Sequence, residues 1–416
     1  MVTVLKKKLR RSTQYSPACA LKKNAHFSRL TSCNSNKMKS IACLCLVGLA
    51  VCFFAAIETH AQDRQSQNRR KNQNTKRPNI LLILADDVGT GDIPYYWKNS
   101  SLVAMPNIDR LSEKGVTFMD AHSTPLCAPS RYMLLSGNYA HRGVIPKGSW
   151  TLNERGKNQF MPGQTSIAQV LRDEAGYSTA MFGKWHLGGG MHRSVREINT
   201  THYLTAPTHD WTQGLIDGPN DIGFDTSIMT VGGIQQAPYV FLKDGFLTID
   251  PADAMYWKSG RYQLPNGVSK INRGAKFEGE GAVDWDSTIF NMILVNETTT
   301  FIENHLETKA DDPFFAYVAL GAVHTPHSPP YHYLDGSNVS YVYDTRHMDL
   351  LGEMDKVVGS LVSLIENKNI AEDTIIIFAS DNGGLAGKQG TNPNSYGHAS
   401  SGPLRSSKAS IYEGKY

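Results

Sequence analysis

The sequence predicts an α/β fold, a largely parallel but mixed central sheet sandwiched by helices. Three observations predict it. The apolar runs Asn79–Leu84 (NILLIL) and Thr374–Ala379 (TIIIFA) are too short for helices and have no polar face, as in strands buried on both sides. Segments of helical period lie between such runs. The clearest is His347–Asn367, where Leu350, Leu351, Met354, Val357, Val358, Leu361, Leu364 and Ile365 fall at helical spacing. Strands therefore alternate with helices along the chain, the order that builds parallel sheets.

The chain opens with a leader. Residues 1–77 hold 16 Lys/Arg against two acidic residues, so the formal net charge of +4 hides an acidic body with 26 basic and 36 acidic residues. That body lacks the basic footprint of a nucleic-acid binder. Lys37 and Lys39 precede an apolar run from Ile41 to Ile57, followed by small residues through Ala61. This pattern predicts a signal peptide over 1–61 with a long basic n-region, or a membrane signal anchor if the run is not cleaved. Met38 offers a second start that would give a short, conventional signal. Residues 62–77 read as a basic polar linker, and 78–416 as the folded body. Sequons at Asn99, Asn199, Asn296 and Asn338 fit a secreted or lumenal glycoprotein.

Within the body, Pro106–Lys114 reads as a short helix stopped by Gly115, and Thr165–Ala175 as a helix capped by Thr165 with Gly176 beyond its end. Ser178–Phe182 and Phe314–Leu320 read as strands. Residues 190–310 are rich in Gly, Pro and Asn and are expected to form loops and insertions that shape a substrate cleft.

Polar residues gather where the strands end. Asp86 and Asp87 follow the first strand, Lys184 and His186 the second, His324 the third, Asp381 and Asn382 the fourth. Open α/β sheets bind ligands beyond the carboxyl ends of their strands. Three carboxylates and an amide are hard oxygen donors, suited to Ca²⁺ or Mg²⁺ better than to zinc. Either acidic pair alone makes a good turn; both together, with His and Lys nearby, favour a metal. Five of the six cysteines lie in the leader, so Cys127 stands alone in the body and no internal disulfide framework exists there. Pro129 fits the first turn of a helix, which puts Cys127 at its N-terminus with partial positive charge, and Arg131 adds a cation one turn along. That is a site for an anion rather than for an inert core thiol.

The run Cys127-Ala-Pro-Ser130-Arg131-Tyr-Met-Leu134-Leu-Ser-Gly137 resembles the sulfatase signature in full. Pro78–Gly89, Pro106–Leu111, Gly176–Gly188, Val323–Pro326, Ser380–Gly384 and Gly402–Lys408 resemble further blocks of that family, so the resemblance runs over residues 78–414. It implies an alkaline-phosphatase-like fold and a sulfuric ester hydrolase. It implies that Cys127 is oxidised to formylglycine by a formylglycine-generating enzyme and hydrates to a gem-diol. One hydroxyl would bind a single Ca²⁺ and attack sulfur; the other would lose its proton to expel sulfate.

By the same resemblance, Asp86, Asp87, Asp381, Asn382 and modified Cys127 would hold the Ca²⁺, and Arg131 would orient the hydrate. Lys184 and Lys408 would grip sulfate oxygens, His186 would act as base for sulfate release, and His324 would protonate the leaving alcohol. On bland readings His186 packs beside Trp185, His324 is a loop residue between prolines, and Lys408 is an exposed lysine. His122, His141 and His327 are assigned structural or substrate-facing roles. The implied partners are aryl sulfates or sulfated polysaccharides. Two departures stand out: Leu404-Arg405-Ser406-Ser407-Lys408 replaces the usual Leu-Arg-Gly-x-Lys, and the small C-terminal antiparallel subdomain is expected to be missing. Two alternatives share the pattern, a phosphodiesterase or phosphonate hydrolase of the same superfamily and an inactive, truncated glycan-binding relative.

Overall fold

A computed structural model describes residues 2–5, 77–146, 156–192, 209–257, 260–263, 269–272, 279–385 and 397–413. The fold belongs to one compact unit, Met1–Lys7 with Pro78–Tyr416. The apolar run 41–57, the linker through residue 76 and Asn199 lie outside the described residues.

Among the described residues the central sheet has nine strands. In chain order they are β1 (Val2–Leu5), β2 (Asn79–Ala85), β3 (Val116–Phe118), β4 (Ser178–Lys184), β5 (Thr226–Thr230), β6 (Leu242–Lys243), β7 (Phe246–Leu247), β8 (Phe314–Ala319) and β9 (Thr374–Ser380). Their order across the sheet is β3-β1-β9-β2-β8-β4-β5-β6-β7. The five from β9 to β5 run parallel. Antiparallel strands flank them, β1 and β3 on one side and β6 and β7 on the other. The expected mixed, largely parallel sheet is therefore present. Every residue of β8 is buried, which requires cover on both faces.

The helices are α1 (Pro106–Lys114), α2 (Cys127–Ser136), α3 (Ile167–Ala175), α4 (Phe290–Thr308) and α5 (Arg346–Asn367). Helix α4 packs on β4 and β8 and against α5, which in turn meets α1. Asp355 of α5 fixes α1 by accepting hydrogen bonds from the backbone of Asn107 and Ile108 at its first turn. These are unpaired donors of a helix start, which a carboxylate satisfies.

The structure differs from the sequence reading in three places. The cap of α3 is Ser166, whose Oγ accepts from Gln169 N, and not Thr165. The stretch 190–310 holds the 19-residue α4 and the parallel strand β5, so it is not loops alone. Val2–Leu5, read as part of the leader, forms β1 between β9 and β3. Among the described residues no helix is long and apolar enough to cross a membrane. The sequon residues Asn99, Asn296 and Asn338 are exposed.

Candidate active site

The site lies beyond the carboxyl ends of β9, β2, β8 and β4, four neighbouring parallel strands. Asp86 and Asp87 are the two residues after β2, and Asp87 takes a left-handed backbone conformation (φ 66°). His186, two residues beyond β4, does the same (φ 55°). Non-glycine residues pay for that conformation, and such strain concentrates at functional sites.

Backbone bonds fix each strand end. Asp86 N donates to Ala322 O at 2.9 Å and Val323 N donates to Asp86 O at 2.6 Å, tying the Asp86–Asp87 loop to the turn that carries His324. Trp185 N and His186 N donate to Thr230 O and Val231 O, so β5 sets the exit of β4. The Trp185 indole donates to Gly188 O and is buried, and His186 beside it is buried as well.

Side chains of the expected residues then converge. Cys127 is the first residue of α2, and its thiol lies 3.3 Å from Asp86 Oδ1, 3.8 Å from Asp87 Oδ1 and 3.2 Å from Lys408 Nζ. Lys184 Nζ donates to Asp86 Oδ2 at 2.5 Å, and Lys408 Nζ donates to Asp87 Oδ1. Arg131 donates to Asp381 Oδ2 at 2.7 Å and to the Lys184 carbonyl at 3.1 Å. Asn382 Nδ2 donates to Asp87 Oδ1 at 2.8 Å. His324 Nε2 lies 3.6 Å from Asp87 Oδ2, while its Nδ1 donates to the Thr325 carbonyl. Three carboxylates thus meet three cations in one buried volume.

The charges sort accordingly. Burial would raise Asp86, but Lys184, His324 and Arg131 outweigh it and hold it well below the carboxylate range. Burial and the Asp86 charge push Asp381 up, to about 7, although Arg131 sits on it. Burial, then Asp381 and Asp86, raise the Cys127 thiol well above its usual value. Burial, then Lys184 and Arg131, hold His186 low, and burial takes His324 down to about 4.

The donor set fits a hard divalent cation. Asp87 Oδ2 and Asn382 Oδ1 are buried oxygens that accept no hydrogen bond. Crowded carboxylates of which one resists ionisation also call for a cation among them. Asp86, Asp87 and Cys127 lie close enough to share one ion with His324 in reach.

Comparison with known proteins decides the family. The Sulfatase family model matches residues 78–416. The chain belongs to the sulfatase family. It is 28% identical over 383 residues to an N-acetylgalactosamine-6-O-sulfatase of Bacteroides thetaiotaomicron, covering 84% of this chain and 68% of that one. It is 27% identical to the human N-acetylgalactosamine-6-sulfatase, covering 81% of this chain and 55% of the relative. The chain thus spans little more than half the length of the mammalian relatives. Among solved structures it resembles a sulfatase from a Bacteroides thetaiotaomicron locus for glycosaminoglycan metabolism (TM-score 0.64, 26% identity, 82% of this chain and 70% of that one). It also resembles a protein, Ps i-CgsB, solved in complex with k-i-k-neocarrahexaose (TM-score 0.52, 26% identity, 81% of this chain and 64% of that one).

Sequence reasoning missed several residues that support this sulfatase site. Asn291 of α4 accepts from Gly321 N at 3.0 Å and donates to Glu353 of α5, bracing the turn before His324. Ser380 Oγ accepts from Val88 N and donates to Asn382 O, locking the two acidic turns together. Asn291 lies in no motif and Ser380 only opens the Ser380–Gly384 block, so their bracing roles are revealed by long-range contacts. His122 is exposed and bonds Asp120, His141 stacks on Tyr139, and His327 is buried against His347.

Proposed function

We propose that this chain hydrolyses sulfate esters, with residue 127 oxidised to formylglycine as the nucleophile and one Ca²⁺ held by Asp86, Asp87, Asp381, Asn382 and residue 127. The observation that carries the reading is the placement of Cys127. It sits buried at a helix N-terminus, flanked by two carboxylates and by Lys408. The Sγ atom stands where the oxygens of a hydrated aldehyde would lie. Bound Ca²⁺ would supply the charge neutralisation that lets a nucleophile approach an anionic ester.

The chain's own residues do the rest. Arg131, fixed by Asp381 and the Lys184 carbonyl, orients the hydrated side chain of residue 127. Lys184 and Lys408 oppose the sulfate oxygens as point charges. His324 keeps its Nδ1 proton on Thr325 O, which leaves Nε2 facing the site; Nε2 gives a proton to the leaving alcohol only from the doubly protonated ring, a form that the bound anionic ester would favour. His186 removes the proton from residue 127 that releases sulfate. The side chains of His324 and Lys408 are each 15% exposed, against 0% for Asp87, so substrate enters on their side.

The substrates proposed are sulfated glycans, with 6-sulfated N-acetylgalactosamine first to be tried because the relatives named above act on it. A secretory route is part of the proposal, supported by the exposed sequon residues Asn99, Asn296 and Asn338. Cys127 is 4% exposed, so a formylglycine-generating enzyme would meet it before folding is complete. The test is mass spectrometry of the Cys127 peptide from secreted protein, alongside sulfate release from an aryl sulfate, a 6-sulfated N-acetylgalactosamine and a phosphonate ester. Aldehyde at residue 127 with sulfate release supports the proposal. A wholly alkylatable cysteine, or turnover of the phosphonate ester alone, overturns it.

A further inference from the structure

Behind the reaction centre lies a second buried cluster of Asp92, His347 and His398. Its composition would suit a transition metal, but its hydrogen bonds oppose one. Leu102 N donates to His398 Nδ1 at 3.2 Å, which occupies that lone pair. The ring proton therefore sits on Nε2, which donates to Asp92 Oδ1 at 2.8 Å. A metal on Nε2 would force that proton onto Nδ1, against the Leu102 amide.

The cluster acts instead as a knot between distant segments. Asp92 Oδ2 accepts from Gly89 N at 2.7 Å, inside the loop that carries Asp86 and Asp87. His347 Nε2, at the start of α5, lies 3.3 Å from Asp92 Oδ1. Burial would raise Asp92, but hydrogen bonds from His347 and His398 outweigh it and hold it down, at about 2. His398 brings with it the segment 397–402: Gly91 N donates to Ser400 O and Ala399 N to Ser100 O. The fit is close enough that a Cβ at Gly89 or Gly91 would stand 1.9 Å from the carbonyl oxygens of Ser400 and Ala399.

The same segment delivers Lys408. Lys184 ends a strand, but Lys408 lies on an irregular stretch with its backbone held by Gly384 O. Ala409 N donates to Pro125 O, just ahead of Cys127. We propose that His398, bonded to Asp92, is a positioning residue: its clasp seats the 397–413 segment and so sets the Lys408 ammonium against Asp87 and residue 127. The inference rests on the reading of Lys408 as a sulfate-binding cation.

A double-mutant cycle on the full chain tests it, with kcat/KM for a chromogenic aryl sulfate as one readout and hydrogen exchange of residues 397–413 as the other. His398→Ala should lower kcat/KM about tenfold or more in the parent and less than about twofold in a Lys408→Ala background, because both act through one ammonium. Exchange at the Lys408 and Ala409 amides should rise. His398→Gln, which keeps a donor for Asp92, should recover most of the loss. If His398→Ala yields no soluble protein, His398→Asn, which keeps an acceptor for Leu102 but not the reach to Asp92, runs the same cycle. Equal losses in both backgrounds, or unchanged exchange in 397–413, overturn the clasp. A silent Lys408→Ala variant sinks the reading of Lys408 instead, while the exchange data still decide whether His398 holds the segment.

Discussion

Glu353 gives the sharpest test of the packing behind the site. It lies on α5, 1% exposed, with Asn291 Nδ2 at 3.3 Å and its Oε1 accepting no hydrogen bond. Burial pushes it up to about 8 from an ordinary value of 4.5. The folded chain therefore holds this proton where the unfolded chain has lost it. The contribution to stability is complete below about pH 4.5, declines as pH rises, and is gone above about pH 8. At about 1.4 kcal/mol per unit, the decline has an upper value of about 5 kcal/mol, less if water enters on ionisation. Glu353→Gln copies the shape of the protonated acid and removes the titration. Denaturant unfolding of variant and parent at pH 5 and pH 8.5 should give similar stabilities at the lower pH. At the higher pH the variant should lead by a few kcal/mol. A difference that stays constant across this range would show that Glu353 titrates alike in both states. The reasoning from burial would then be wrong.

Further outcomes follow from the site. Chelation should lower activity and melting temperature together, with Ca²⁺ restoring both, because a ligand bound only to the folded state adds stability; restoration by zinc alone would contradict the oxygen donor set. His324→Ala should cut kcat by about 10²–10⁴ for esters of poorly acidic alcohols and far less for aryl sulfates with good leaving groups. An equal loss across the series would remove His324 from the proton-donor role. Lys184→Met should cost about 3–5 kcal/mol in unfolding experiments on chelator-treated protein, since without a cation it leaves the buried Asp86 carboxylate with Arg131 at 3.5 Å as its main neutralising contact.

What the sequence disclosed follows from which interactions are local. The strands beginning at Asn79, Ser178, Phe314 and Thr374 were legible to within two residues at their ends because burial on both faces leaves an unbroken apolar run. Helix α5 was legible because its apolar residues recur at helical spacing, although burial extends beyond that stripe to the consecutive residues His347 to Leu351. Helix α4 was not: the run of Thr298, Thr299 and Thr300 has weak helical preference, and the stretch before it is rich in Gly and Asn. Tertiary packing against β4, β8 and α5 overrides that local preference. The site residues could be found because a parallel sheet sends its strand ends to one edge, where polar residues interrupt apolar runs. Lys408 follows no strand and was reached only through the family resemblance. The Asp92–His398 contact, 306 residues apart in the chain, left no local pattern at all. The chemistry was thus written where the backbone is regular, and the devices that aim it were written in pairings that exist only once the chain has folded. Variants at Asn291, Glu353 and His398 should therefore lower activity through the placement of His324 and Lys408, a loss that the isolated motifs would not foretell.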